Sequence, residues 1–116
     1  MGLFKKDAYD EFVEKGLKRI KEDKKRSDRE ILEESGRSRE EWITYYNSLK
    51  SLRKKITDII KKSGGSIKNT ELKKALEAVT DVREKELYEV AVCRLVEAGV
   101  LVKRKDGRSV VYSLIK

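Results

Sequence analysis

Between Leu87 and Ile115 the chain reads LYEVAVCRLVEAG, VLVKR, KDGR and SVVYSLI in unbroken succession, an order that leaves few folds open. Leu87, Ala91, Leu95 and Ala98 recur at helical spacing, and Gly99 stands where a left-handed C-cap is wanted, so a helix ending at that glycine is predicted. Two short runs rich in Val, Leu and Tyr then flank Asp106-Gly107, a strong tight-turn signal, so a hairpin turning on that pair is predicted. The helix delivers the chain straight into a basic hairpin.

Upstream, Tyr9, Phe12, Val13, Leu17 and Ile20 share one face of a helix predicted from about Asp7 to Lys24. Acidic residues run through its polar face, which suits a solvated bundle helix better than one lying on a membrane. Ser27 with Glu30, and Ser38 with Glu41, have capping-box spacing. They predict a short helix through Ile31 and Leu32 ending at Gly36, then a long one reaching Lys62, where Ser63-Gly64-Gly65 stops it. A helix-turn-helix spanning Asp28 to Tyr46 is disfavoured, because Arg37 occupies the usual apolar position after the turn glycine. Beyond Gly65, Ser66-Ile67-Lys68 predicts a short strand, and Asn69 or Thr70 a cap for a helix through Leu72, Leu76 and Val79. Thr80-Asp81 is the turn, and a third helix of this half starts near Val82.

In the long helix, Trp42, Tyr45, Leu49, Leu52, Ile56 and Ile59 are alternately three and four residues apart, the seam of a heptad. Two accounts stay open. The helix opens the C-terminal domain and packs on its neighbours, or its N-terminal half, through Trp42, Tyr45, Leu49 and Leu52, pairs with a twin in a homodimer.

The run Leu95-Val96-Glu97-Ala98-Gly99-Val100-Leu101, followed by Lys103-Arg104-Lys105-Asp106-Gly107-Arg108 and Val111-Tyr112, resembles the winged helix-turn-helix superfamily. There a recognition helix ends in an Ala-Gly or similar pair and passes into a two-stranded β-wing. Ser66 to Ala78 looks like the first strand and second helix of that fold. The resemblance implies a mainly α fold: an N-terminal helical extension over residues 1–38, then a winged-helix domain over 39–116 that opens with the long helix and ends in a two-stranded β-hairpin wing. It also implies non-catalytic binding of double-stranded DNA as a transcriptional regulator. Winged helices dock proteins too, so a protein partner on the third helix is the alternative.

Composition narrows the chemistry. The chain has no histidine and one cysteine, Cys93, so neither a Cys/His metal set nor an internal disulfide is expected. With no His general base, glycine-rich phosphate cradle or nucleophile elbow, no catalytic residues and no cofactor are expected either. No apolar run approaches a membrane span and the start does not read as a signal peptide, so a cytoplasmic protein without membrane contact is expected. Abundant Lys and Glu suit the ion-pair networks of thermophile proteins, although the absence of Pro is not part of that pattern.

The net charge of +8 is unevenly placed. Ser66–Gly99 carries six basic and seven acidic residues, whereas Val100–Lys116 carries five basic and one acidic, and Arg39–Lys62 seven and three. With Leu87, Tyr88, Ala91, Val92 and Leu95 facing the core, the third helix turns Glu86, Glu89, Val90 and Cys93 outward, a poor set for reading base edges. Phosphate contacts are therefore expected from the hairpin (Lys103, Arg104, Lys105, Arg108), the start of the third helix (Arg83, Lys85), and Lys68, Thr70 and Lys73 around the second.

Overall fold

Side-chain caps set most of the helix starts. In the computed structural model, which describes residues 7–115, Asp7 accepts the N–H of Asp10 (3.0 Å) and opens α1 (Ala8–Glu22). Ser27 and Glu30 form the reciprocal capping box of α2 (Asp28–Ser35), which stops at left-handed Gly36. Ser38 accepts the N–H of Glu41 (3.1 Å) and opens α3 (Arg39–Lys62). At its other end the N–H groups of Gly64 and Gly65 turn back to the carbonyls of Lys61 and Ile60. Residues 1–6 of the expected extension, and Lys116 of the basic terminal segment, lie outside the described residues.

After β1 (Ser66–Lys68) the chain passes directly into α4 (Asn69–Glu77). The cap position is Lys68, with no side-chain bond, rather than Asn69 or Thr70. Asn69 is otherwise engaged, its Oδ1 accepting the hydroxyl of Tyr88 at 2.6 Å. Val79, expected on the apolar face of this helix, falls beyond its end and is half exposed.

The expected third helix is two helices, α5 (Val82–Glu86) and α6 (Tyr88–Glu97). Asp81 and Glu84 form a second capping box, which fixes the start of α5. The break comes at Leu87, whose N–H is shared between the carbonyls of Arg83 (3.2 Å) and Glu84 (3.1 Å), tightening the turn before α6 restarts. At Gly99 (φ 75), Val100 N–H bonds Leu95 O and Gly99 N–H bonds Val96 O, the paired bonds of a Schellman end.

β2 (Leu101–Asp106) and β3 (Ser109–Leu114) form the hairpin, with Asp106 paired to Ser109. The turn is therefore centred on Gly107-Arg108, one residue later than the Asp-Gly signal suggests. Gly107 has φ 64 and Arg108 does not share the positive φ, the pattern of a type II′ turn. The sheet has three antiparallel strands in the order β1-β3-β2, not the two of a lone hairpin. β1 covers the free edge of β3 from Ser66↔Ser113 to Lys68↔Val111, and this buries Ile67. Helices followed by a small C-terminal antiparallel sheet are compatible with the winged-helix expectation.

One hydrophobic core runs through these elements. Leu49, Leu52, Ile56 and Ile60 of α3 are fully buried among Tyr9 and Val13 of α1, Leu72 and Leu76 of α4, Ala91 and Leu95 of α6, and Leu101 and Tyr112 of the sheet. α1 runs beside α3, where the Tyr9 hydroxyl donates to Leu49 O at 2.5 Å and burial pushes that phenol's pKa up. The Arg94 guanidinium of α6 sits 3.5 Å from the Phe12 ring centroid and ties α1 to α6.

Gly16 is the closest approach of α1 to α3. A Cβ there would lie 2.7 Å from Cε2 of Tyr46 and closer still to two other ring carbons. Phe12, Trp42 and Tyr45 hold that ring, with centroids 5.2–6.0 Å away. Gly16→Ala should therefore destabilise the fold by about 2 kcal/mol through overpacking, although alanine is the better helix former. Thermal unfolding of the variant checks this; unchanged or higher stability would contradict the packing described.

Candidate nucleic-acid interface

The hairpin's register sorts its cations between two faces. Lys103 lies opposite Tyr112 and Lys105 opposite Val110, so these lysines share the face that turns toward α6. Arg104 lies opposite Val111, whose other neighbour is Lys68, which puts Arg104 and Lys68 together on the far face. Arg108 is in the turn. All five are exposed, and none makes an ion pair among the described residues.

Between hairpin and helices lies a groove of about 420 Å³ lined by Lys103, Val110 and Tyr112 on one side and Tyr88, Glu89, Cys93 and Glu97 on the other. Lys73 of α4 stands at its edge, 4.0 Å from Glu89 and 5.5 Å from the Tyr88 ring centroid. Thr70 is exposed in the first turn of α4. Tyr88 and Tyr112 are buried here, and desolvation raises both phenol pKa values.

Of the residues expected to face outward, Glu89, Val90 and Cys93 lie exposed on α6 and Glu86 is exposed at the end of α5; Glu97 of α6 is exposed as well, while Tyr88, Ala91, Val92 and Leu95 are buried. Cys93 is a free thiol, its Sγ 3.6 Å from Glu97 Oε1. Arg83 and Lys85 are exposed on α5. Arg83 also borders a crevice of about 200 Å³ with Arg37, Glu41, Tyr45 and Glu86.

The proposed seam residues lie in different surroundings. Leu49 and Leu52 are fully buried in the chain's own core, so pairing through them would require that core to open. Trp42 and Tyr45 are half-buried in an aromatic cluster with Tyr46, and the Arg37 guanidinium lies 4.8 and 4.6 Å from their ring centroids. Arg37, which sequence reasoning used only to reject a turn, thus caps that cluster.

Glu84 is the site residue that sequence reasoning missed. Only 4% exposed, it accepts the Lys55 Nζ at 2.8 Å on both carboxylate oxygens and the N–H of Asp81 at 3.1 Å. The signal was present: Asp81-x-x-Glu84 has the capping-box spacing already recognised at Ser27 and Ser38. The pair fixes α5, and with it Arg83 and Lys85, against α3. Two other α3 cations are similarly engaged, Arg53 with Asp7 and Asp10, and Arg39 with Asp28 and the carbonyls of Ile20 and Arg26.

Among the described residues no group of three or more His, Cys, Asp and Glu is placed to hold a metal, and no helix is long and apolar enough to cross a membrane. No family model, curated protein or solved structure matches the chain.

Burial alone would raise the pKa of Glu84, but hydrogen bonds from Lys55, Ser51 and the Asp81 backbone outweigh it and leave the carboxyl below its ordinary value. The ionised form is the one the fold favours. Its contribution is complete above the ordinary glutamate range and is lost as pH falls through the lowered value. Glu84→Gln should cost about 1.5–3 kcal/mol at neutral pH, and the difference from the unaltered protein should shrink in acid. Denaturant unfolding at neutral and acid pH measures both; an equal difference at the two would contradict the role assigned to the carboxylate.

Proposed function

We propose that this chain is a winged-helix protein that binds double-stranded DNA without catalysis and acts as a transcriptional regulator. The observation that carries the reading is the hairpin, where Lys103, Arg104, Lys105 and Arg108 stand exposed, with no ion pair among the described residues, beside a groove-lining helix. Free cations on a narrow projection reach phosphates at little desolvation cost, and the released counterions supply the affinity. Lys103 and Lys105, on the α6 side, meet the strand that faces α6. Arg83 and Lys85 of α5 meet the backbone beyond α6, with Thr70 and Lys73 as flanking contacts, whereas Lys68 shares the far face of the sheet with Arg104.

Base reading plays a small part in this scheme. Glu86, Glu89 and Glu97 repel phosphate, and Val90 offers a base edge only an apolar contact. The contacts are mainly with the backbone, which positions a protein but carries no sequence information of its own.

A second reading is favoured by the same face of α6. Val90 is 37% exposed and, with exposed Cys93, is ringed by Glu86, Glu89 and Glu97, a surface suited to a protein partner.

Fluorescence anisotropy of duplex DNA across a salt series distinguishes the two. With about four phosphates neutralised, log affinity should fall against log salt with a slope of about −4. Lys103→Gln with Lys105→Gln and Arg108→Gln should flatten that slope by about three, whereas Arg104→Gln, on the far face, should change it by at most one. Glu86→Ala with Glu89→Ala should leave affinity intact or tighten it. Full affinity in the triple variant, with its fold preserved, would shift the assignment to the protein-docking face.

A further inference from the structure

The positive charge is divided between two sides of the molecule. α3 carries seven cations. Arg39, Arg53 and Lys55 are consumed by carboxylates within the chain. Lys50, Lys54, Lys61 and Lys62 are exposed and pair with no anion among the described residues. At 100° per residue the first three fall on one line of the helix, opposite the core stripe of Leu49, Leu52, Ile56 and Ile60. The line is about 16 Å long, and Asp58 is the single acid on it.

That core stripe packs against the buried face of α6. The lysine line on α3 and the exposed face of α6 therefore lie on opposite sides of the core, with Lys61, at the end of the line, bordering a groove with Val100, Leu114 and Ile115 at the base of the hairpin. A duplex seated on the hairpin and the outward face of α6 leaves Lys50 and Lys54 on the other side of the core stripe.

We propose that this lysine line is a second phosphate-binding surface, which lets one molecule hold two duplex segments and bridge them. The inference rests on the DNA-binding reading above. A helix with three like charges in line is destabilised by their repulsion, and a second polyanion relieves it. The occupant is the phosphate backbone rather than base edges, because lysines on a convex helix face act as point charges without the fork geometry that reads bases. Bridging should occur at intermediate protein concentration and vanish when protein is in excess, since each duplex then fills with its own molecules.

The test uses the full chain, one duplex on beads and a second, fluorescent duplex in solution. The unaltered protein should carry the fluorescent duplex onto the beads. Lys50→Gln with Lys54→Gln and Lys61→Gln should cut that capture by about ten-fold or more while single-duplex affinity, by anisotropy, falls much less. Circular dichroism confirms that the variant is folded. Replacing the hairpin cations should abolish bridging and weaken single-duplex binding to what the lysine line alone supports. A mixture of the two variants should not bridge, because neither molecule has both surfaces. Bridging by that mixture, or by the lysine-line variant alone, would mean that protein dimers join the duplexes and would overturn the proposal. Duplex binding without bridging by the unaltered protein would overturn it too and leave the DNA-binding reading standing, whereas no duplex binding at all would overturn both. Capture of a poly-glutamate peptide in preference to the second duplex would reassign the line to an acidic protein.

Discussion

Leu49, Leu52, Ile56 and Ile60 lie on one stripe of α3, each with no exposed surface, and α1, α4, α6 and the sheet are arranged around them. Burying a Leu or Ile side chain is worth roughly 1.5–3 kcal/mol, so these four outweigh any single polar contact in the molecule. The stripe also explains why α1 belongs to the same core as the C-terminal elements. Tyr9 and Val13 cover the part of α3 that α4 and α6 leave open, and the small Gly16 lets the two helices approach where Tyr46 intervenes.

Charge is sorted by distance from that stripe. Cations on the flanks of α3, close to the core, meet carboxylates: Lys55 with Glu84, Arg53 with Asp7 and Asp10. A half-buried cation left unpaired would cost far more than an exposed one. Cations on the hairpin and on the outer side of α3 remain in water, where lacking a partner costs little. The charges that hold the fold and the charges available to a polyanion are thus different residues. Within one helix, Lys54 and Lys55 are neighbours in sequence with opposite fates.

Periodicity and punctuation made most of the fold legible. Gly36 and Gly99, the Ser27 and Ser38 caps, and the alternating apolar runs around Gly107 act within a few residues of themselves, so they can be read locally. The errors arise where a distant partner decides. Asn69 has a good capping side chain but is drawn off by Tyr88, nineteen residues away, and β1, expected as a strand, joins the hairpin into a three-stranded sheet because β3 presents a free edge. The heptad seam left its occupant open, and at Leu49 and Leu52 the chain's own core fills it, since a 3-4 apolar repeat says that a face is covered without saying by what. In the candidate site, the outward set on α6 followed from spacing alone. The division of the hairpin cations between two faces did not, because it depends on strand register, which the turn fixes one residue from where the Asp-Gly pair points.

That register bears on how a duplex could approach an acidic helix. From buried Leu101 to the turn, the hairpin extends about 17 Å at the usual rise per residue. Exposed charges at physiological salt are largely screened beyond about 8 Å. A backbone gripped near Arg108 and Lys105 can therefore stand more than a screening length from Glu86 and Glu89, whereas one drawn down to Lys103 enters the groove that Glu89 and Glu97 line. The acidic face of α6 then limits how deeply DNA can seat. In the proposed DNA-binding reading, contact would concentrate at the hairpin tip, and α6 would be held back from the base edges that a basic helix in the same place would approach.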